Sequence, residues 1–343
     1  MPADAVPAAV RRLAFGESLD ADHAAQAFRQ IMAGEATPAQ VAALLMGLRV
    51  KGETADEVAG AARALREAMV PLDADQPDAL VDTCGTGGGA VTTFNISTAA
   101  ALLAAGAGVR IAKHGNRSFT SRSGSADVLE ALGIPLDATP ELMASVLREA
   151  GIVFMFAPTM HPAMRHVGPV RRELGVPTVM NIVGPLANPA RAGRQVVGVA
   201  DRHRMPLLAG ALAALGSVHA LVVHGEPGMD ELSPLGATHV AEVRNGSVRE
   251  WMIDPVVYGF TGFTAEALEG GAPADNARLV TDVLSGNAPP AARAAVILNG
   301  AAAIYVAGLS ASLDEAVARA REALDAGAGL KALERMKRAY AGA

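Results

Sequence analysis

Through the first 70 residues, apolar positions recur at helical spacing over 21–32, 37–49 and 54–69, so this part of the chain reads as all-helical. Thr37 with Pro38 and Gln40, and Thr54 with Glu57, are helix-start signals, while Gly34 and Gly52 punctuate the segments. Residues 71–77 read as a linker. From residue 79 the rhythm changes. Short apolar runs at 79–82, 109–113, 152–156, 195–199 and 220–223 predict strands, and the segments at 96–105, 126–132, 141–150, 163–174 and 206–215 predict helices. Such alternation favours a mainly parallel sheet with helices on both faces. Residues 240–243 and 248–252, joined by Arg244-Asn245-Gly246-Ser247, predict a hairpin, and stretches near 276–284, 289–307, 312–325 and 328–341 are helical again. The predicted fold is α/β: a small all-helical N-terminal domain, 1–76, and a large α/β domain, 77–343, with a mainly parallel central sheet and C-terminal helices.

Two loops in this frame carry candidate chemistry. The first, residues 82–98, runs Asp-Thr-Cys-Gly-Thr-Gly-Gly-Gly-Ala-Val-Thr-Thr-Phe-Asn-Ile-Ser-Thr between a predicted strand and a predicted helix. A glycine-rich turn there lets backbone N–H groups converge on an anion, and the helix N-terminus adds its positive end. The second, Lys113-His114-Gly115-Asn116-Arg117-Ser118, follows another predicted strand. Together they describe a pocket for a phosphorylated ligand. Gly85 to Ala90 also matches G-x-G-x-x-A, but a dinucleotide site wants an acidic residue about 20 positions on, where Arg110, Lys113 and His114 stand instead. A P-loop needs a closing Gly-Lys-Ser/Thr, and this loop closes with Thr92-Thr93-Phe94.

Composition narrows the classes. At 343 residues and 51% hydrophobic content the chain can bury a sizeable core. No apolar run approaches the roughly 20 residues needed to span a bilayer, and Met1-Pro2-Ala3-Asp4 lacks signal-peptide character. A net charge of −6 argues against a nucleic-acid or membrane-surface binder. The single cysteine, Cys84, excludes an intrachain disulfide and agrees with a reducing cytoplasm; beside the glycine loop it is either a reactive thiol or a small buried filler.

Three further groups stand out. Asp230-Glu231 follow the predicted 220–223 strand on a Gly/Pro-rich loop, as a solvated pair or as hard oxygen ligands for Mg²⁺. His161 to Gly175 carries two histidines and three arginines, either a basic exposed face or a fork for a substrate carboxylate. Ser118, Thr120, Ser121, Ser123 and Ser125 lack a His/Asp partner for a hydrolase triad and read as hydrogen-bond donors to phosphate, Ser125 also as an N-cap.

Gly85-Thr86-Gly87-Gly88, Phe94 to Thr98, Lys113 to Arg117, Ser123 to Asp127, His161-Pro162-Ala163-Met164 and Asn181 to Pro189 resemble the anthranilate phosphoribosyltransferase family. Residues 34–40 and 49–54 match its helical domain, and the likeness runs in order over nearly the whole chain from about residue 18. The resemblance implies a Mg²⁺-dependent, cytoplasmic homodimer of tryptophan biosynthesis. It would move phosphoribose from phosphoribosyl pyrophosphate (PRPP) to anthranilate in a cleft between the domains, the small one completed by returning segments near 171–196. It places PRPP on Gly85, Gly88, Gly89, Thr93, Asn95, Ile96, Ser97, Thr98, Lys113, His114, Gly115, Asn116, Arg117, Ser121 and Ser125. Anthranilate falls to Gly85, Asn116 and Arg171, with His114, His161 and Pro185 lining its approach, and two Mg²⁺ per subunit to Ser97, Asp230 and Glu231.

One departure is visible: the family usually has Asp after Gly-Thr-Gly-Gly, and position 89 here is Gly, followed by Ala90. The implied chemistry needs no general base and no covalent intermediate, because the aniline nitrogen is already an unprotonated nucleophile. The demand is departure of pyrophosphate, met by positioning and electrostatics. Two rivals remain at this stage, a nucleoside phosphorylase of the same fold and a non-catalytic nucleic-acid-binding relative. The Arg-rich 161–174 segment argues against the first, and the acidic balance with Asp230-Glu231 against the second.

Overall fold

The computed structural model describes residues 4–118 and 122–342. Four helices open the chain: Ala5–Ala14, Ala21–Met32, Pro38–Lys51 and Ala55–Ala68. The first is absent from the periodicity reading. Both expected starts form full capping boxes, Thr37 with Gln40 and Thr54 with Glu57. Glu57 does more than cap: fully buried, its carboxylate accepts from Leu19 N–H and from Lys51 Nζ, tying the turn before the second helix to the end of the third. Gly60 permits a close helix crossing, since a Cβ there would lie 2.4 Å from Ala21 O. Phe28, Leu44, Leu45 and Leu48 fill the interior of this bundle.

Seven strands follow: β1 (Val81–Gly85), β2 (Ile111–Gly115), β3 (Ile152–Phe156), β4 (Arg194–Gly198), β5 (His219–Gly225), β6 (Thr238–Arg244) and β7 (Ser247–Ile253). Their order in the sheet is β3-β2-β1-β4-β5-β6-β7; β1 to β5 are parallel and the β6–β7 hairpin is antiparallel. The chain therefore leaves β1 first toward β2 and β3, then returns to β1's other side with β4. Ligands of open α/β sheets bind at such a reversal, outside the carboxyl ends of the strands.

Period-2 alternation gives each sheet face its own core. Val196, Leu221, Val223 and Val240 join the core shared with helices Ile96–Gly106, Pro290–Val306 and Ala328–Ala341. Val197, Val199, Val222 and Ala241 join a core shared with helix Met205–Ala214 and with the N-terminal bundle. Side chains from 163–187, among them Val167, Val170, Ile182 and Leu186, belong to that second core. The linker is fastened where it crosses: Val70 N–H donates to Met160 O at 2.8 Å and Leu72 N–H to Pro189 O at 3.0 Å. Among the described residues no helix is long and apolar enough to cross a membrane.

The predicted helix at 163–174 is in fact two pieces, a 3-10 turn Pro162–His166 and a helix Gly168–Leu174. Pro169 in its first turn has no N–H to continue the preceding segment, so it starts a new one.

Candidate active site

Four of the five parallel strands end in glycine: Gly85, Gly115, Gly198 and Gly225. Close approach explains all four. A Cβ on Gly198 would lie 1.6 Å from Asp230 O, and one on Gly115 2.1 Å from Ser125 Oγ. One on Gly85 would lie 2.6 Å from Asp230 Oδ2, and one on Gly225 2.5 Å from Glu231 O. Loops can thus fold back over the sheet edge at the switch point.

The loop after β5 is closed by Gly225 N–H donating to Met229 O, and Met229 is buried, which turns the next two carboxylates inward. Asp230 Oδ2 accepts from Gly87 N–H at 2.9 Å, and Glu231 Oε1 from Ser97 N–H at 3.1 Å. The glycine loop is built to offer that donor: Gly87 and Gly88 take φ of 71° and 80°, the left-handed region. Gly89 lies outside that region; a Cβ there would sit 3.0 Å from Gly228 O and 3.2 Å from Asp230 Oδ1.

Lys113 of β2 is buried beneath the two loops. Its Nζ donates to Thr83 O at 2.5 Å and reaches Thr83 Oγ1 and Ser97 Oγ, each at 3.3 Å. Burial lowers its pKa, while the charges of Asp82 and Glu231 oppose that shift. Burial raises Asp230, and burial with the charge of Asp230 pushes Glu231 up to about 8. The surroundings thus lack the charge to hold both carboxylates ionised, and Glu231 keeps its proton up to about pH 8. Cys84 is half-buried and packs against the second core, and burial raises the pKa of its thiol, which fits a filler better than a reactive group.

Behind Lys113 lies a polar chain that the sequence reading missed. Asp82, inside β1, accepts from His114 N–H and from Asn188 Nδ2 at 2.7 Å, and Asn188 also donates to Ala112 O. The only sequence signal was a charge within a strand and an Asn-Pro pair 106 residues away. Desolvation lifts Asp82 to about 6. His114 meets His161, Nε2 to Nε2, at 3.2 Å.

The second loop places Asn116 at the end of β2, its carbonyl accepting from Ala126 N–H and Ser125 Oγ. Gly124, rather than Ser125, is the N-cap of helix Ser125–Ala131, and Asp127 accepts its N–H. Arg117 is turned outward into ion pairs with Asp127 and Glu130, away from the glycine loop. Ser121, like Thr120, lies outside the described residues. Thr93, Asn95, Ile96 and Thr98 sit at the start of helix Ile96–Gly106, with Asn95 Nδ2 donating to Ser123 O across to the second loop. Arg171 lies half-buried on helix Gly168–Leu174 and has no ion-pair partner among the described residues; burial lowers its pKa. Pro185 is half-buried, and its carbonyl accepts from Gln195 Nε2.

A phosphate-type loop and an acidic pair at the switch point of a parallel sheet, with a helical bundle alongside, form a site for a phosphorylated ligand, and comparison with known families gives its class, a glycosyltransferase. Residues 77–330 match the glycosyl transferase family, a/b domain, and residues 7–69 the glycosyl transferase family, helical bundle domain. Anthranilate phosphoribosyltransferase of Rubrobacter xylanophilus is 52% identical over 330 residues, 96% of each chain. The crystal structure of that enzyme from Thermus thermophilus superposes with a TM-score of 0.91 at 46% identity, covering 97% of this chain and 99% of the other. The Saccharomyces cerevisiae enzyme, solved in complex with PRPP and Mg, superposes with a TM-score of 0.89 at 27% identity, covering 98% of both. The chain belongs to the anthranilate phosphoribosyltransferase family.

Proposed function

We infer that this chain transfers the phosphoribosyl group of PRPP to the amino group of anthranilate, giving N-(5-phosphoribosyl)anthranilate and pyrophosphate in tryptophan biosynthesis. The observation that carries the reading is Asp230 joined to Gly87 and Glu231 joined to Ser97, an acidic pair bonded to both ends of the glycine loop. Both rival readings give way to near full-length likeness to this one family.

In this reading the glycine loop (Gly85, Gly88, Gly89, Thr93, Asn95) and helix start (Ile96, Ser97, Thr98) hold PRPP from one side, and Lys113 to Asn116 with Ser121 and Ser125 from the other. Arg117 contributes by its backbone, because its guanidinium is engaged elsewhere. Arg171 and Asn116 take anthranilate, Arg171 by forking onto the carboxylate. His114 and His161, both held neutral by burial, give that approach an uncharged wall with Pro185. The amine attacks as pyrophosphate departs, and orientation with electrostatic stabilisation of the leaving group supplies the acceleration.

The donor set suits Mg²⁺. Asp230 and Glu231 are hard oxygen donors whose raised pKa values mark a site short of positive charge, which a bound cation would supply. Ser97, Asp230 and Glu231 are the residues to hold two ions per subunit. Bound Mg²⁺ supplies charge neutralisation for the leaving pyrophosphate.

We divide the chain into a helical domain, 1–76 with returning segments near 171–196, of which Arg194 to Val196 belong instead to β4 of the sheet, and an α/β domain from 77. A homodimer is supported by Phe15 and Val50, exposed at 86% and 80% on the adjoining ends of two packed helices. A cytoplasmic setting rests on the single cysteine and the biosynthetic role. The net charge of −6 speaks for small-molecule substrates and against nucleic acid. Anthranilate fluorescence, followed with PRPP and Mg²⁺, tests the assignment: signal loss requiring all components supports it, and no turnover overturns it.

A further inference from the structure

We propose that Asn276 is a positioning residue for PRPP: it fixes the orientation of the Asn95 side chain and so sets the spacing of the two phosphate loops. Asn276 lies 181 residues from Asn95 in sequence, in the first turns of helix Pro273–Leu284, and is 3% exposed. That helix packs against both Ile96–Gly106 and Ser125–Ala131, the two helices that follow the phosphate loops.

Three directed hydrogen bonds form one chain. Gly271 N–H donates to Asn276 Oδ1 at 2.7 Å, Asn276 Nδ2 donates to Asn95 Oδ1 at 2.9 Å, and Asn95 Nδ2 donates to Ser123 O at 3.1 Å. An amide can turn end for end at little intrinsic cost, and its oxygen and nitrogen look alike. Here both ends of the chain forbid the turn. A backbone N–H can only donate and a backbone carbonyl can only accept, so the polarity of both amides between them is determined. The segment carrying Gly271 is itself fixed on the glycine loop: Phe94 N–H donates to Leu268 O, and a Cβ on Gly270 would lie 2.8 Å from Phe94 Cα. Asn95 keeps one N–H and one lone pair beyond these bonds, aimed by a residue that is itself buried.

The proposal rests on the reading that these loops bind PRPP, and the experiment separates the two. Asn276→Asp keeps size and the acceptor for Gly271 but presents an acceptor to Asn95 Oδ1. If Asn95 turns to answer it, its oxygen faces the Ser123 carbonyl and the loops lose their tie. Loss or reversal of one such bond predicts a rise in KM for PRPP of about tenfold or more, with KM for anthranilate changed less than about twofold. Asn276→Leu, near in size and uncharged, should also raise KM for PRPP, which simple repulsion between a new carboxylate and PRPP would not do. Asn276→Ala, which removes partners without opposing them, should raise KM for PRPP less than Asn276→Asp does. A merely structural asparagine gives the reverse order, with alanine worse. Asn95→Ala is the control: if it leaves KM for PRPP unchanged, the loop reading falls. If it raises KM while Asn276→Asp does not, Asn276 alone is excluded.

Discussion

His114 at the end of β2 and His161 after β3 share a single proton between Nε2 atoms 3.2 Å apart. One ring donates and the other accepts, a contact two neutral rings can make and two protonated rings cannot. Burial keeps both rings neutral, lowering His114 to about 3 and His161 to about 4.

A pH dependence follows from the sign of those shifts. Between the ordinary value of 6.5 and the folded values, the unfolded chain binds more protons than the native one. The pair's contribution is fully present above pH 6.5 and is lost as pH falls toward 4 and 3. Each ring adds a slope of up to about 1.4 kcal/mol per pH unit in that window. Denaturant unfolding at neutral pH and at mildly acidic pH should show a shallower decline for His161→Gln than for the natural chain. Equal slopes would mean that the rings are not the groups being protected from charge.

Arg171 is a cation kept half out of water without a counter-ion among the described residues. Such a group is costly unless a ligand completes it. Arg171→Ala should raise KM for anthranilate by roughly 10- to 150-fold, the equivalent of a charge-assisted bond of about 1.5–3 kcal/mol. Arg171→Lys, which keeps charge but loses the fork, should fall between. KM for PRPP serves as the internal control, and an unchanged KM for anthranilate removes Arg171 from the site.

The reading of strand positions shows what the sequence could and could not carry. β3, apolar throughout, lies at 152–156 as predicted, whereas β1 and β2 extend two or three residues beyond their predicted ends at 82 and 113. Asp82 and Lys113 mark those ends because a charge normally leaves the core. Here each is buried with partners from elsewhere, Asn188 for Asp82 and Thr83 for Lys113. Capping boxes and helix periodicity are local and were legible. The Asp82–Asn188 and Asn95–Asn276 contacts are long-range pairings, which no local pattern encodes.

Glu231 sets stability against function. Its raised pKa means that the native state holds a proton which the unfolded chain releases, so stability falls as pH rises from 4.5 to about 8. Glu231→Gln keeps the acceptor for Ser97 N–H and removes the charge. It should therefore be the more stable protein, by a margin that grows up to about pH 8, while turnover drops strongly and anthranilate binding stays nearly intact. Activity of the natural chain should vanish in EDTA and return with excess Mg²⁺. Full turnover in EDTA by the Glu231→Gln protein would defeat the metal assignment.

Of the glycines that face Asp230, Gly198 and Gly89 should respond differently to one added methyl group. At Gly198 the new Cβ would meet the carbonyl oxygen of Asp230 at 1.6 Å. That atom belongs to a backbone held on both sides by the Gly225–Met229 closure and the buried Leu232, so the loop itself must move. Gly198→Ala should cost about 2 kcal/mol or more and displace both carboxylates, lowering turnover along with the melting temperature. At Gly89 the φ is one that other residues adopt, and the contacts are 3.0 Å to Gly228 O and 3.2 Å to Asp230 Oδ1, a side-chain oxygen able to give way. Gly89→Ala should stay within about 1 kcal/mol of the natural stability. Gly89→Asp should fold as well, but its carboxylate beside the half-buried Asp230 raises the demand for neutralising charge, so its activity should need more Mg²⁺. Thermal melts of the three variants with Mg²⁺ titrations of their rates test the contrast, and Gly198→Ala melting with the natural chain would overturn it.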